Sequence, residues 1–341
     1  MLGVIKNPKN EVTPGSQAST SYALDDLHSL LGQIADRQDY VPDKSPLVRY
    51  LCAMFAELPY YHVPQFELDD AKRVQLIPCD AYRTIAASGG PGATLDQVLS
   101  RADIGKGFFV VVSRGVVAVG VHVGQFLFIG FRGTQFLFDW RTNLHARLVH
   151  SGNSWSRRHL QGVHGSFHRG FLEETLRVIP QVNDAIEDLD IPNLRRAYLC
   201  GHSLGGAVAA IGEKLLEIGP SSVCMFGAPR YCDLAALFEP YRPPTQVRRL
   251  GDMVPTVPPR WLGYVDHLTE FDPAGAAFIE KKPPAIFFNG FWPWLQFLGR
   301  RFESHSVEAY RREVGRAAGA PNHEKDLGPY NRLTPEEVRV A

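Results

Sequence analysis

The sequence lacks several features that would have indicated a specialised class of protein. Its 36 Lys and Arg residues balance its 36 Asp and Glu residues, so no net charge would attract nucleic acid. The five cysteines form no Cys-x-x-Cys spacing, and no Asn-x-Ser/Thr acceptor for a glycan occurs. A glycine-rich turn at 88–92 is not followed by Gly-Lys-Ser/Thr, so it does not predict a phosphate loop. What is left is an ordinary globular protein, 45% hydrophobic.

Long apolar segments are also missing. Residues 1–9 carry charges where a secretory signal peptide needs an apolar stretch. A long uncharged run at residues 283–299 is interrupted by Pro293 and is too short for a membrane-spanning helix. Cys200 and Cys224 lie in apolar runs, where buried thiols of a reduced compartment are expected. We therefore expect no signal peptide and no transmembrane helix, in a protein that is cytoplasmic or exported without a cleavable leader.

Apolar runs alternate with amphipathic ones along the chain, which predicts the fold class. Strands are expected at 108–112, 116–123, 126–131, 198–200, 222–226 and 247–250, and helices at 47–56, 173–189, 207–218 and 234–238, with a short amphipathic stretch before them at 24–34. Strands that alternate with helices favour an α/β fold with a mainly parallel sheet flanked by helices. We place one domain at 46–316, after an N-terminal extension at 1–45 and before a polar tail at 317–341.

The sharpest motif is Gly-His-Ser-Leu-Gly at 201–205. It follows an apolar strand and precedes a helix rich in small residues, which is the context of a nucleophile elbow. Such a turn holds the serine, here Ser203, in a strained conformation with its hydroxyl above the sheet edge. The alternative is a glycine-rich turn without catalytic function. The strand before the motif and the helix after it favour the nucleophile.

A serine nucleophile needs a histidine base, and the histidine needs a carboxylate that fixes its tautomer. In α/β-hydrolases the acid and then the histidine follow the serine in the chain. The acids available are Asp233, Asp252, Asp266 and Asp272. Asp252 directly follows a predicted strand, where such sheets carry functional loops, and is preferred. His305 is preferred as the base, and His267, in a stretch of alternating polarity, is the alternative.

An oxyanion hole needs two hydrogen-bond donors that face the developing negative charge. The residue after the nucleophile supplies one amide, here that of Leu204. The second donor should come from the loop after an earlier strand. The Phe-Arg-Gly-Thr turn at 131–134 fits, with Thr134 offering its amide and its hydroxyl, although an ordinary glycine turn is the simpler interpretation.

Several short motifs occur in one order along the chain. They are Phe-Arg-Gly-Thr at 131–134, Asp-Trp at 139–140, His-Arg-Gly-Phe at 168–171, the elbow at 201–205, Phe-Gly-Ala-Pro-Arg at 226–230, Asp-x-Val-Pro-x-x-Pro-Pro at 252–259, and His305 with Tyr310. Together they resemble the class 3 (fungal-type) lipase family of α/β-hydrolases over residues 46–316. The resemblance implies an ester hydrolase that works through an acyl-enzyme with the triad Ser203, Asp252 and His305. It also implies oxyanion donors at Thr134 and Leu204, a lid within about 135–167, and no metal or cofactor.

Two segments are candidates for contact with lipid. The predicted lid begins with Phe136, Leu137, Phe138 and Trp140, and residues 141–170 carry five arginines, five histidines and no acid. This combination suits an anionic lipid surface, although a solvated cationic loop would look the same. Trp292 and Trp294, in an aromatic run flanked by cations, are candidate interfacial anchors, or else cover the core or line the acyl pocket. The histidines His159, His164 and His168 have no nearby carboxylate or cysteine and do not predict a metal site.

The sequence therefore predicts a triacylglycerol lipase whose partner is its lipid ester substrate, with an undetermined oligomeric state. A phospholipase A1 or lysophospholipase, including a membrane-directed effector, is the main alternative because of the cationic lid. A short-chain or aryl esterase is a third enzyme, which the apolar lid disfavours. Outside enzymes, the alternative is a catalytically silent lipid-binding module.

Overall fold

The computed structural model describes ten ranges of the chain: residues 21–35, 45–60, 74–77, 107–113, 116–132, 147–151, 163–191, 193–238, 243–277 and 302–328. The strands in these ranges are β1 (Val74–Ile77), β2 (Phe108–Ser113), β3 (Val116–Val123), β4 (Phe126–Arg132), β5 (Leu148–His150), β6 (Ser166–His168), β7 (Arg196–His202), β8 (Ser221–Phe226), β9 (Thr245–Val247) and β10 (Thr269–Phe271). The α-helices are α1 (Ala23–Ala35), α2 (Pro46–Glu57), α3 (Arg169–Asp188), α4 (Leu204–Gly212), α5 (Leu234–Phe238) and α6 (Val307–Ala317).

Eight strands form one sheet in the order β1-β2-β3-β4-β7-β8-β9-β10. The pairs from β4 to β10 are parallel, whereas those from β1 to β4 are antiparallel. The predicted α/β fold with a mainly parallel sheet is thereby confirmed, with an antiparallel section on one side. β2, β3 and β4 are antiparallel because only two residues separate each from the next, and a parallel pair needs a crossover of a dozen residues or more.

Helices cover both faces of the sheet, as predicted. One apolar core joins α1, α2 and α6 to the face that carries Val117, Val119 and Val121. The other joins α3 and α4 to the opposite face, with Val116 and Ala118. The alternation of these β3 side chains between two cores follows from the two-residue period of a strand. Cys200 and Cys224 are buried thiols without a disulfide bond, at partner positions on β7 and β8, and burial raises the pKa of Cys200.

Element boundaries differ from the sequence predictions at several positions, and those of α4 and β9 concern the candidate site. α4 begins at Leu204, directly after Ser203, rather than at residue 207, and it ends at Gly212 rather than at residue 218. β9 ends at Val247 rather than at residue 250. The chain leaves β9 because it turns at 249–252, where the amide of Asp252 donates to the carbonyl of Arg249.

The described parts of both predicted extensions pack on the domain. In the N-terminal one, Leu24 and Leu27 of α1 are buried, and in the C-terminal one Leu327 is fully buried. The two extensions also meet, because Asp26 accepts hydrogen bonds from the amide and side chain of Asn322. The polar composition of these segments conceals the few apolar positions that anchor them.

A buried ion pair fixes α6 on α2. Arg311 donates to Glu57 at 2.7 Å, and both side chains are fully buried. The remaining guanidinium nitrogens donate to the carbonyls of His323 and Lys325, so the buried cation is satisfied on every side. Because α6 begins two residues after His305, this anchor also determines where His305 lies.

Candidate active site

Ser203 occupies a strained turn at the carboxyl edge of the sheet. It lies between β7 and α4 with φ 56° and ψ −130°, in a region that residues with a β-carbon rarely adopt. Its amide donates to the carbonyl of Phe226 on β8, and its carbonyl accepts from the amide of Gly206. Such strain costs about 1–3 kcal/mol, so the surrounding hydrogen bonds must hold the turn in place.

Two glycines allow the close packing of this turn. A β-carbon at Gly201 would lie 2.2 Å from the carbonyl oxygen of Gly205, and one at Gly206 would lie 2.7 Å from the β-carbon of Ala228. No side chain fits at either position without displacing backbone. The spacing of glycines in the sequence motif thus reflects helix α4 packing directly against strand β7.

Asp252 and His305 are in direct contact. Asp252 Oδ2 lies 2.8 Å from His305 Nδ1, and both side chains are almost entirely buried. The other carboxylate oxygen, Oδ1, accepts from the amide of Val254 at 2.9 Å, and the hydroxyl of Tyr310 donates to Oδ2 at 2.6 Å. Burial raises the pKa of Tyr310 far above its usual range, so the phenol keeps its proton and remains a donor.

This contact determines the tautomer of His305. The carboxylate of Asp252 only accepts hydrogen bonds, so Nδ1 of His305 must carry a proton and Nε2 is left with a free lone pair. Nε2 is buried and has no hydrogen-bond partner within the described ranges. A neutral histidine in this state is chemically suited to accept a proton from a hydroxyl.

The serine turn and the acid–histidine pair meet at Gly227, which follows β8. Gly227 has φ +59°, and a β-carbon there would lie 2.6 Å from Asp252 Oδ2, 2.9 Å from the Tyr310 hydroxyl and 3.1 Å from His305 Cε1. Its neighbour Phe226 holds the amide of Ser203. The turn of Ser203 and the Asp252–His305 pair therefore both adjoin the end of β8, the turn through Phe226 and the pair through Gly227. This is the carboxyl edge of the parallel strands, where α/β proteins place their functional loops.

Gly227→Ala should lower kcat by about 10²-fold because the new methyl group would displace Asp252 and His305 by a fraction of an ångström or more. Gly319→Ala is the matched control: its φ is +69° and a β-carbon there would meet nothing within 4 Å. Both variants carry the same kind of backbone strain, so the midpoint temperature of thermal unfolding should be lower in both. Activity should fall only in Gly227→Ala. Equal activity of the two variants would contradict this arrangement.

The sequence did not indicate a second histidine beside His305. The His202 and His305 rings lie 4.4 Å apart between centroids, tilted by 37°. The Tyr60 hydroxyl lies 3.1 Å from His202 Nδ1, although 142 positions separate the two residues. His202 was visible only as the variable residue of the elbow motif, and no local signal connected Tyr60 to it.

The predicted oxyanion donors are described in part. Leu204 is buried and begins α4, and amides in the first turn of a helix have no partner within the helix. The positive end of the α4 dipole also lies here, which favours an anion beside Leu204. Thr134 lies outside the described residues, two positions beyond the end of β4, and β4 itself adjoins β7. Arg132, the last residue of β4, pairs in register with His202.

The other predicted residues divide into structural and undescribed ones. His267 is buried and its Nε2 lies 3.3 Å from the carbonyl oxygen of Ala228; burial lowers its pKa to about 4. His168 caps α3 by accepting from the amide of Phe171, and burial likewise lowers its pKa to about 4. The predicted lid and interface residues lie outside the described ranges: Phe136, Leu137, Phe138, Trp140, Trp292 and Trp294. Within the predicted lid segment only residues 147–151 and 163–167 are described, and β5 pairs there with β6.

Two kinds of feature are absent from the described ranges. These ranges contain no group of three His, Cys, Asp or Glu side chains that could hold a metal ion. None of their helices combines the length and the apolar character that crossing a membrane requires.

The central segment of the chain is similar to a known protein family. Residues 128–261 match the family described as lipase (class 3). No curated protein matches the sequence. Among solved structures, a lipase from Rhizopus microsporus var. chinensis is 20% identical (TM-score 0.45, covering 69% of this chain and 75% of the other). Lipase II from Rhizopus niveus is 18% identical (0.43, 66% and 78%), and a mono- and diacylglycerol lipase from Aspergillus oryzae is 16% identical (0.44, 67% and 80%).

Proposed function

We propose that this chain, whose residues 128–261 belong to the class 3 lipase family, hydrolyses lipid esters with Ser203 as nucleophile, His305 as base and Asp252 as acid. The family makes the protein a carboxylic ester hydrolase of the lipase type. The observation that carries the assignment of residues is the buried Asp252–His305 contact beside the strained Ser203 turn. A surface ion pair would leave the histidine solvated, whereas this pair is buried with its second ring nitrogen unbonded in the described ranges.

The mechanism follows from the donor and acceptor roles at the site. Ser203 Oγ attacks the ester carbonyl carbon, and its proton passes to Nε2 of His305. Asp252 stabilises the imidazolium through Nδ1. The tetrahedral oxyanion is held by the amides of Leu204 and Thr134, each contributing about 3–4 kcal/mol. Collapse of the intermediate breaks the ester bond, and His305 returns the proton to the leaving alcohol. Water activated by His305 then releases the fatty acid from Ser203.

Apolar side chains near the site favour a lipid over a small soluble ester. Leu250 and Trp261 are 84% and 82% exposed, and they lie two residues before and nine residues after Asp252 in the chain. The sequence adds Phe136, Leu137, Phe138 and Trp140 in the proposed lid and Trp292 and Trp294 as proposed anchors. Large exposed apolar side chains grouped around a site are typical of contact with lipid or protein surfaces.

The lipid class is proposed to be triacylglycerol, with phospholipid as the second candidate. The second candidate is favoured by the sequence between residues 141 and 170, which has five arginines and no acid. A cationic segment next to the site would attract an anionic bilayer by about 1 kcal/mol per charge, and the attraction would be screened by salt.

Hydrolysis should be measured on emulsified triacylglycerol and on anionic phospholipid vesicles, with Ser203→Ala beside the wild type. We expect faster release of fatty acid from triacylglycerol, with little dependence on ionic strength. Faster release from the vesicles, reduced by added salt, would instead assign a phospholipase and make Arg147 and Arg169 the next positions to replace. Release from neither lipid but from a short soluble ester would contradict a lipid substrate.

A further inference from the structure

Arg249 lies three residues before Asp252, outside the proposed triad, in the turn that follows β9. Its carbonyl accepts from the amide of Asp252 at 3.2 Å, and its own amide donates to the Tyr310 hydroxyl at 3.1 Å. The same hydroxyl donates to Asp252 Oδ2. The backbone of Arg249 is thus joined to the acid both directly and through Tyr310.

The side chain of Arg249 reaches the segment that carries His305. Nη1 donates to the carbonyl oxygen of Ser304 at 2.7 Å. That carbonyl belongs to the same planar peptide unit as the amide of His305. A hydrogen bond to it therefore restrains the backbone that carries the histidine side chain. The acid-bearing turn and the histidine-bearing turn are 55 positions apart in sequence and are linked here by one guanidinium.

A second contact holds the guanidinium itself in place. Nε and Nη2 both donate to Glu313 Oε1 of α6, at 3.0 and 2.7 Å, and the Arg249 side chain is only 17% exposed. The guanidinium carbon also lies 5.7 Å from the centroid of the Tyr310 ring. Three of its nitrogens are therefore used, and the group cannot rotate without losing at least one bond.

We propose that Arg249 is a positioning residue, which sets the distance and orientation between Asp252 and His305 by fastening their two turns together. This inference rests on the proposed function, because it concerns the geometry of the same pair. Arginine is required because its planar fork can donate to two acceptors at once, whereas a lysine ammonium on a single flexible stem would be drawn to Glu313 and leave the Ser304 carbonyl.

The neighbouring Arg248 provides a matched control. It is also poorly exposed and also ion-paired, with its Nη1 3.5 Å from Glu270 Oε2 of β10. Its amide donates to the carbonyl of Phe271, and both of these contacts are with β10 rather than with the histidine turn. Arg248→Lys therefore makes the same chemical change at an adjacent position without touching the link to Ser304.

The test compares Arg249→Lys with Arg248→Lys and the wild type on a soluble ester, so that contact with a lipid surface does not contribute. Both variants keep the positive charge. We expect kcat of Arg249→Lys to fall by about 10- to 100-fold with KM almost unchanged, because misplacement of the base affects the transition state more than binding. Arg248→Lys should keep the wild-type kcat.

The pH dependence of kcat/KM and the proton NMR spectrum are two further measurements that a loss of stability alone would not change. His305 is faced by Asp252, which stabilises its cation, and by His202. If Asp252 loses contact with Nδ1, the imidazolium is stabilised less, so the acidic limb of the kcat/KM profile should move to lower pH. The low-field proton resonance of the Nδ1–H that is bonded to Asp252 should shift towards that of a weaker hydrogen bond.

Several outcomes decide the matter. The proposal would be overturned if folded Arg249→Lys kept the wild-type kcat, acidic limb of the pH profile and Nδ1–H resonance. It would also be overturned if kcat fell equally in Arg248→Lys. If Arg249→Lys does not fold, Glu313→Gln takes its place: it leaves the Ser304 contact but weakens the anchor, and should shift the resonance in the same direction. No shift in that variant would also overturn it. Failure of the proposed function is distinguishable, because it would appear as full activity of Ser203→Ala, whereas the resonance reports on the Asp252–His305 pair without any substrate.

Discussion

Ser203→Ala is expected to lower kcat by about 10⁶-fold, the largest effect of any single change, because the serine and the histidine act as one unit. Without the hydroxyl there is no atom to form the acyl-enzyme, and Nε2 of His305 has no proton to accept. What is left should be the slow attack of water in the presence of the oxyanion donors. The measurement is fatty-acid release by matched amounts of folded wild type and variant.

Two controls make this result specific to the turn. Ser222 lies on β8, at the end of the strand opposite to the turn, and its hydroxyl accepts from Arg196 of β7. Ser222→Ala should therefore leave activity near the wild-type value. An organophosphonate should label the wild type once and Ser203→Ala not at all. Retention of a tenth of the activity by Ser203→Ala would identify a different nucleophile.

Relief of the backbone strain at Ser203 should raise the free energy of unfolding even though activity is lost. Ser203→Gly removes the β-carbon from a residue at φ 56°, so the variant should be inactive yet more stable by about 1 kcal/mol in its free energy of unfolding. A residue whose removal stabilises the fold while activity disappears is held in place for function. Lower stability of Ser203→Gly than of Ser203→Ala would show that the turn is not strained in solution.

The parts of the site that the sequence predicted are those with a local signature. The elbow is a strand, a serine between glycines, and a helix of small residues, all within about fifteen positions, and the structure has β7, Ser203 and α4 in that order. Asp252 and His305 could be proposed because the order of triad residues is a property of the topology. In the structure Asp252 Oδ2 lies 2.8 Å from His305 Nδ1. The roles of the two residues in catalysis stay a prediction.

The parts that could not be predicted depend on contacts between distant segments. Tyr60 meets His202 because the 3₁₀ turn Leu58–Tyr60 follows α2 and packs beside β4. Nothing near either residue in the sequence indicates the pair. Arg249 reaches Ser304 and Glu313 across 55 and 64 positions, and a single sequence gives no measure of such pairs. The antiparallel section of the sheet was foreseeable from the two-residue turns between β2, β3 and β4, but the prediction weighted the βα alternation of the later strands.

Asp252→Asn is the second substitution for which we expect a large effect. The backbone determines the orientation of the new asparagine amide. Asp252 Oδ1 accepts from the amide of Val254, which has no alternative acceptor in this turn among the described residues. An asparagine would therefore place its carbonyl oxygen at the Oδ1 position and its NH₂ group at the Oδ2 position. That NH₂ would face His305 Nδ1 and the hydroxyl of Tyr310, both of which now donate to Oδ2.

Facing a donor, His305 would keep its ring nitrogen Nδ1 unprotonated and carry its proton on Nε2 instead. In that tautomer it cannot accept the proton of Ser203, so kcat should fall by about 10⁴-fold although the fold persists. Asp266→Asn is the matched control: Asp266 pairs with Arg230 and Arg260, outside the proposed triad, so its loss should lower thermal stability while the folded enzyme stays active. If both variants retained activity, Asp252 would only position its loop, and another group would have to set the tautomer of His305. If only Asp252→Asn is inactive, with Ser203 still open to slow labelling by the phosphonate, the defect lies in proton transfer rather than in the nucleophile.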